Sequence, residues 1–235
     1  MSVFPRAAMC RHLALSALML ALLAGCATRP EPRELRMAQP ASVSGVAEER
    51  FGQPPWGRQG EFRLHGQTVR YERGAERLAL LEALPAGVAT PLRVTWLGPW
   101  GESAAVCEGW TPSGGAQPVG SRSWVLSCRW GAAPAAMLQI GESSSRRGQP
   151  VREGAYRRGE LTLGLRSVQL AEGQAGPQSR VLGFEMLHQG TVVASLDLSG
   201  PQPRLRRPDP TTPVGRAATE AALALALVWE PGPVR

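Results

Sequence analysis

The chain has 235 residues and a formal net charge of +7, from 26 basic residues, all of them arginine, and 19 acidic ones. It has no lysine, three histidines and two aspartates, and it lacks a phosphate-binding loop, a dinucleotide fingerprint, a zinc-protease motif and a nucleophile elbow. This inventory favours a protein that is not an enzyme and uses no cofactor or metal. Complete replacement of lysine by arginine is typical of a genome-wide compositional bias.

The first 25 residues have the three-part layout of an export signal. Arg6 and Arg11 precede an apolar run over 13–24 that is too short to span a bilayer. The run ends in LAGC, which resembles the lipobox of bacterial lipoproteins. The resemblance implies type II signal processing before Cys26 and acylation of its thiol, and two or three acyl chains on one residue anchor a protein stably. An ordinary secretory signal cut near Ala27, or an uncleaved anchor, is the alternative.

The residues after Cys26 bear on location and partners. Ala27 stands where similar Gram-negative lipoproteins carry an inner-membrane retention aspartate, so the resemblance implies the periplasmic face of the outer membrane. Residues 26–60 are rich in proline and small polar residues, which predicts a flexible tether. Processing leaves 24 arginines against 19 acids, an excess of +5. Besides the membrane that holds the anchor, the expected partners are an envelope protein or an anionic lipid, and nucleic acid is excluded in this compartment.

Residues 61–235 predict a single, mainly β periplasmic domain. Short alternating runs broken by glycine and proline are typical of antiparallel strands. Two segments of related sequence, LHGQTV and LHQGTV, predict hairpins with turns at 65–67 and 188–190. Further strands are predicted at 92–97, 104–110, 121–130, 135–141 and 159–170.

Two segments have helical character. Residues 75–84 place apolar side chains at helical spacing and end at Pro85, which predicts a short helix over the sheet. The segment 213–229 starts with Thr212 as cap and Pro213 in the first turn, and its second half is apolar on every face. A helix that is apolar all round has to be buried. We therefore expect an antiparallel β-sandwich or barrel-like domain with a buried C-terminal helix.

The chain from about Val181 to Trp229 consists of a predicted hairpin, a proline-rich connection and an apolar helix. In this order of elements it resembles tubby-like and scramblase-related domains, in which a closed antiparallel barrel surrounds a hydrophobic C-terminal helix. The resemblance implies binding of lipid or protein rather than catalysis, and it transfers no binding residue. A sandwich with the helix packed on one sheet fits the same pattern. In general style the whole chain also resembles envelope lipoproteins of high-GC bacteria.

Cysteine and tryptophan supply further predictions. With Cys26 acylated, Cys107 and Cys128 are the two cysteines left in the mature chain, and an oxidising compartment predicts a disulfide between them. Trp124 and Trp130 share one face of a predicted strand and are expected in the core beside this disulfide. Trp100 lies in a predicted loop, and we expect it at the surface as part of a binding site.

Basic clusters offer the other candidate surface. Arg204, Arg206 and Arg207 are predicted to contact phosphate headgroups near the membrane, together with a second basic stretch at 145–158. The competing function is a hydrolase of cell-wall glycan or peptide, because two carboxylates from distant segments can flank a substrate. Its candidate carboxylates, of which the sequence favours no pair, are Glu102, Glu108, Glu153 and Glu160. We expect a membrane-anchored binding or envelope-assembly module.

Overall fold

A computed structural model describes residues 34–52, 57–74, 76–78, 87–112, 124–131, 134–144 and 150–228. The chain from Leu35 onward forms one compact unit. Its described residues form thirteen strands and two helices. The strands are β1 Glu49–Arg50, β2 Gln59–Leu64, β3 Gln67–Arg73, β4 Glu76–Leu78, β5 Gly87–Gly98, β6 Gly101–Pro112, β7 Val125–Trp130, β8 Ala136–Ser144, β9 Pro150–Arg158, β10 Leu161–Val168, β11 Gly183–His188, β12 Thr191–Asp197 and β13 Arg204–Arg206, and the helices are α1 Ala41–Ser44 and α2 Pro213–Leu227.

The strands form one antiparallel sheet that curls into a barrel. The sheet order is β1-β13-β12-β11-β10-β9-β8-β7-β6-β5-β3-β2, with β4 as an additional partner of β5. The chain just after β1 connects the two ends of this order: Phe51 N–H donates to Pro203 O at 3.0 Å, which extends the β1–β13 pairing, and Gly52 N–H donates to Arg63 O of β2 at 3.1 Å. The predicted mainly β fold is therefore confirmed, in its barrel form. Closure covers the edges that an open sheet would expose.

Both predicted hairpins are present, with two-residue turns. His65 and Gly66 have φ of 52° and 72°, and Gln189 and Gly190 have φ of 50° and 80°. Positive φ at both central residues is what a type I′ turn requires, and glycine at the second position adopts it without strain. Of the five other predicted strand runs, 92–97 and 104–110 lie within β5 and β6, and 135–141 and 159–170 overlap β8 and β10. The run 121–130 contains β7, and its residues 121–123 lie outside the described part of the chain.

Helix α2 occupies the inside of the barrel. Thr212 Oγ1 accepts from Gly215 N–H at 3.1 Å and Pro213 fills the first position, as the sequence predicted. Every residue from 217 to 227 is buried. The helix packs against β5 and also against the neighbouring strands β9 and β10. In the sheet, β6, β7 and β8 lie between β5 and β9. Strands surround the helix, which explains why it is apolar on all sides; the predicted burial is confirmed.

Small residues let the helix fit inside this wall. Six of its residues between 217 and 226 are alanine. At Gly215 an added Cβ would lie 2.0 Å from the backbone oxygen of Asp209, so the helix start passes too close to the preceding turn for any side chain.

The predicted helix over 75–84 is wrong where the structure describes it. Glu76–Leu78 form strand β4, in which Glu76 pairs with Ala89 and Leu78 with Gly87 of β5. Pairing of the backbone with an existing strand has overridden the local helical pattern, because tertiary contacts routinely outweigh the small differences in helix propensity. The rest of that segment lies outside the described residues.

The predicted tether over 26–60 is also wrong in its second half. Residues 35–52, which we call the N-terminal strap, are part of the folded domain. Met37, Val43 and Phe51 are at most 1% exposed, and β1 pairs with β13. The Phe51 ring stacks on Phe62 with centroids 5.6 Å apart. Burial of isolated apolar residues produces no periodic pattern, and the sequence therefore gave no signal of this segment.

Candidate functional site

The basic stretch after β12 fastens the N-terminal strap and does not form an open binding surface. Arg204 is 3% exposed, and its Nη1 lies 3.1 Å from Asp197 Oδ2. Arg207 is also buried, and its Nη2 lies 2.7 Å from Glu49 Oε2. The prediction that these two arginines contact headgroups is wrong, because carboxylates of the strap and of β12 already hold both guanidinium groups.

Arg206, the third arginine of the stretch, also binds the N-terminal strap. Arg206 Nη1 donates to the carbonyls of Ser44 and Val46 at 3.0 and 2.7 Å. Its Nη2 lies 3.2 Å from Glu48 Oε2, and its side chain is 20% exposed. Arg206 therefore caps the turn after α1, and it contributes to the packing of the strap.

Trp100 lies in the turn between β5 and β6 and is 47% exposed, as the sequence predicted. Its Nε1 donates to Pro210 O at 3.0 Å, and the Arg216 guanidinium lies 5.6 Å from its ring centroid. Pro210 lies just before the start of α2, and Arg216 lies in its first turn. The indole thus ties this hairpin to the start of the helix and leaves only part of its ring to solvent.

A buried carboxylate cluster lies where α2 meets the barrel wall, and no sequence prediction anticipated it. Glu220 is 1% exposed in the middle of the apolar helix. Its donors are Ser103 Oγ at 2.7 Å, Arg158 Nη2 at 2.6 Å, Arg216 Nε at 3.1 Å and the Tyr156 hydroxyl. These contacts link the helix to β6 and β9. The one signal in the sequence was an isolated acid in an otherwise apolar helix.

Tyr156 connects this cluster to the aromatic core. Its hydroxyl donates to Glu220 and accepts from Arg158 Nε at 2.9 Å, and its ring meets the edge of Trp130 at 5.4 Å. Burial, followed by the adjacent Glu220 charge, raises the pKa of Tyr156 well above its ordinary value. The tyrosine therefore remains a hydrogen-bond donor throughout the neutral range, and the cluster acts as a structural lock on the helix.

The far end of α2 has its own lock. Arg73 Nη1 donates to Leu227 O at 3.1 Å, and its Nε donates to Gly57 O at 3.2 Å. Burial lowers the pKa of Arg73, and the guanidinium lies 5.2 Å from the centroid of the Tyr71 ring. A cation at a helix C-terminus satisfies carbonyls that have no partner within the helix and complements its dipole. The interior helix is therefore fixed to the barrel at its middle and at its C-terminal end.

The predicted disulfide is present. Cys107 of β6 and Cys128 of β7 are opposite in register, and their sulfurs are bonded. Trp124 and Trp130 are each 3% exposed on the same face of the β7 segment as Cys128. The prediction that both tryptophans belong to the core is confirmed, and Cys26 lies outside the described residues.

The four carboxylates considered for a hydrolase do not converge. Glu102 lies near the start of β6 and Glu108 six residues further along it, and Glu153 and Glu160 lie on β9 and in the turn after it. All four are exposed. Three strand spacings, about 14 Å, separate the backbone of β6 from that of β9, and glycosidase carboxyl groups are roughly 5–9.5 Å apart. Glu102 and Glu108 are six residues apart along one strand, about 20 Å.

Metal-ligating residues are likewise dispersed. Over the described ranges, no three side chains of histidine, cysteine, aspartate or glutamate are grouped so that they could hold a metal ion. His65 and His188 lie at the hairpin ends, where His65 Nδ1 is 3.5 Å from Glu49 and His188 Nδ1 is 3.2 Å from Thr162 O. Each imidazole thus has a local structural contact.

An exposed row of arginines crosses the outer face of β5 to β9. In register, Arg93 lies opposite Val106, Val106 opposite Arg129, Arg129 opposite Met137, and Met137 opposite Arg157. We call these five residues the arginine row. Its three arginines are exposed, and Val106 is 56% exposed. In the described part of the chain, none of the three arginines forms an ion pair or a hydrogen bond through its side chain.

A shallow groove of about 680 Å³ covers the centre of the arginine row. Val106 and Met137 lie in its floor, the small residues Gly131, Ala135 and Gly159 border it, and Arg129 and Arg157 flank it. Sequence reasoning missed this surface because its members come from five different strands. Of the described arginines in the second basic stretch, Arg157 belongs to this surface, whereas Arg152 pairs with Glu142 at 2.7 Å and Arg158 with Glu220.

Comparison with known proteins shows no similarity: no family model, no curated protein and no solved structure matches the chain. Across the described residues, the helices are too short or too polar to cross a membrane.

Proposed function

We propose that the chain is a lipoprotein of the bacterial envelope, anchored through Cys26 at the periplasmic face of the outer membrane, whose barrel binds a partner on its outer surface. The observation that carries the binding role is the filled interior. Ligand-binding barrels keep an internal cavity for the ligand. Here the barrel encloses its own helix, which Glu220 fixes at its middle and Arg73 at its C-terminal end.

The N-terminal strap supports a short connection to the anchor. The folded unit starts at Leu35, nine residues after Cys26, instead of near residue 61. Nine residues reach at most about 30 Å when fully extended. An acylated Cys26 would thus keep the barrel next to the membrane and limit its partners to those within that reach.

The arrangement of a helix inside a barrel is also what the resemblance to tubby-like and scramblase-related domains implied, and that resemblance goes with binding. The hydrolase alternative has less support, because its four candidate carboxylates are exposed on the outer wall and come from two strands that are not neighbours in the sheet.

Intact mass and membrane fractionation of the wild type beside Cys26→Ala test the anchor. We expect the wild type to lose residues 1–25, to gain the mass of acyl chains and to fractionate with outer membranes, because LAGC directs both reactions to Cys26. Cys26→Ala should gain no acyl mass. Cys10→Ala is the matched control, since that thiol lies in the removed signal. A wild type without acyl mass would refute the lipoprotein proposal.

A further inference from the structure

The arginine row differs from two other exposed arginines of the barrel wall, which have acidic partners on the neighbouring strand. Arg70 faces Glu61 across a strand pair and lies 2.9 Å from it, and Arg166 pairs in the same way with Glu185. In the row, by contrast, Arg129 faces Val106 and Met137. These two exposed arginines are thus neutralised by cross-strand acids, whereas the three guanidinium groups of the row form no ion pair within the described part of the chain.

The acidic residues nearest to the arginine row do not neutralise its positive charge through ion pairs. Glu72 lies opposite Arg93 in register, and Glu108 is a diagonal neighbour of Arg129, yet neither forms an ion pair with these arginines. Free guanidinium groups bind carboxylates through two parallel hydrogen bonds. Arginine is also enriched among the residues that dominate protein interfaces.

The spacing of the arginine row matches that of an extended polypeptide. Its arginines lie on alternate strands, so their backbones are about 10 Å apart. In an extended chain, residues three or four apart are separated by about 10–13 Å. Acidic side chains at that interval would meet successive arginines, and the residues between them would lie over Val106 and Met137 in the groove.

The curvature of the barrel favours a polypeptide over a flat membrane surface. The row crosses four of the twelve strand-to-strand steps of the closed ring, so Arg93 and Arg157 point about a third of a turn apart. A planar bilayer cannot contact both ends of such an arc, whereas an extended segment can follow it.

We infer that the arginine row is the docking surface for an extended acidic segment of a partner protein, with carboxylates at every third or fourth residue on Arg93, Arg129 and Arg157 and apolar side chains on Val106 and Met137. The inference rests on the proposed function, in which the outer surface of the barrel binds the partner.

The test titrates the purified full chain in detergent with a fluorescent ten-residue peptide that has glutamate at every third position and valine or alanine between. The variant is Arg129→Gln with Arg157→Gln. The control, Arg70→Gln with Arg166→Gln, removes the same charge from paired arginines elsewhere on the barrel. We expect the row variant to weaken binding at least about tenfold per lost charged hydrogen-bonding partner and the control to weaken it less than about twofold.

Met137→Glu is a second variant that introduces an acid between the two arginines, and it should weaken peptide binding to a similar extent. All substituted residues lie on the outer wall, and thermal unfolding verifies that each variant is folded. An isomeric peptide with its glutamates clustered at one end should bind less tightly than the spaced peptide.

Three results would overturn the inference: no binding of the spaced peptide, equal losses in the row and control variants, or row-dependent binding of phosphatidylglycerol vesicles by a chain that ignores the peptide. The intact mass of the same preparation reports acylation separately. A chain without acyl groups that still binds the peptide through the row would refute the proposed anchor and leave the docking surface in place.

Discussion

A carboxylate in the middle of an apolar helix has to be offset by donors from the surrounding wall. Glu220 receives them from β6, from β9 and from one turn earlier in α2. Removal of one partner from a buried ion pair leaves an uncompensated charge in a medium of low dielectric constant. The cluster therefore fixes both the depth and the rotation of the helix.

Glu220→Ala should lower the free energy of unfolding by about 3–5 kcal/mol, because Arg158 would remain buried without its carboxylate. Urea unfolding followed by tryptophan fluorescence measures the loss. Glu61→Ala is the control: it breaks the exposed pair with Arg70 and should cost at most about 1 kcal/mol. Similar losses in the two variants would contradict the structural role of the buried pair.

The two tyrosines of the chain provide a test of burial by pH. Burial raises the pKa of both Tyr71 and Tyr156, and the folded state therefore retains their protons where the unfolded chain loses them. Stability from this effect is complete below about pH 10, the pKa of unfolded tyrosine, and decreases as the pH rises further. Tyrosinate absorbance should stay low through pH 10 in the native chain and rise there in denaturant. Equal midpoints in the two states would show that the rings are not buried.

At the level of elements, the N-terminal strap shows how two short strands complete a large sheet. Strand β1 has two residues, and it pairs with the three-residue β13. Side chains reinforce this short ladder: Arg207 binds Glu49, and Arg206 binds Glu48. Barrel closure thus depends on ion pairs as well as on backbone bonds.

Arg204→Ala should destabilise this closure by about 3–5 kcal/mol, since Asp197 would remain buried without its nearest guanidinium group. We expect proteolysis of the strap to become faster along with the loss in urea stability. Arg50→Ala removes a strap arginine whose side chain is 60% exposed and should have little effect. An unchanged cleavage rate in Arg204→Ala would show that the pair of Arg204 with Asp197 does not stabilise barrel closure.

The disulfide covalently links the neighbouring strands β6 and β7. Replacing both cysteines, Cys107→Ser with Cys128→Ser, should cost about 3 kcal/mol, because the unfolded chain regains the entropy of the open loop. The urea midpoint of this variant, beside that of the reduced wild type, measures the effect. Full retention of stability in both would contradict a contribution from loop closure.

On the scale of the whole molecule, the barrel and its helix form one core. The alanines of α2 let the strands approach from every side, and the locks at Glu220 and Arg73 hold the helix in register. Added volume inside presses on buried neighbours, whereas the same addition on the outer wall meets solvent. Stability therefore responds to side-chain size inside the ring and much less outside it.

Ala222→Leu should lower the free energy of unfolding by about 1–3 kcal/mol through overpacking of the barrel interior. Val106→Leu enlarges an exposed side chain on the outer wall and should change stability by less than about 0.5 kcal/mol. Differential scanning calorimetry of both variants measures the contrast. A stabilised Ala222→Leu variant would indicate unfilled space beside the helix.

The sequence by itself determined the features that depend on neighbouring residues or on simple counting. Glycine at the second turn position set two hairpins, Thr212 and Pro213 set the start of α2, and the cysteine count set the disulfide. Each follows from local backbone geometry or from the chemistry of one residue type. The export signal and the acylation of Cys26 stay predictions of the same kind.

Tertiary structure alone decided the features that depend on which distant segments meet. A backbone bond from Gly52 to Arg63 of β2 joins the two ends of the sheet into a barrel instead of leaving a sandwich. Arg204 and Arg207 became internal because carboxylates from other segments reach them, whereas Arg93, Arg129 and Arg157 became one surface because strand register aligns them. Both groups consist of arginines, so residue type and charge do not distinguish them. Register, closure and burial separate them, since those depend on contacts between residues far apart in the chain.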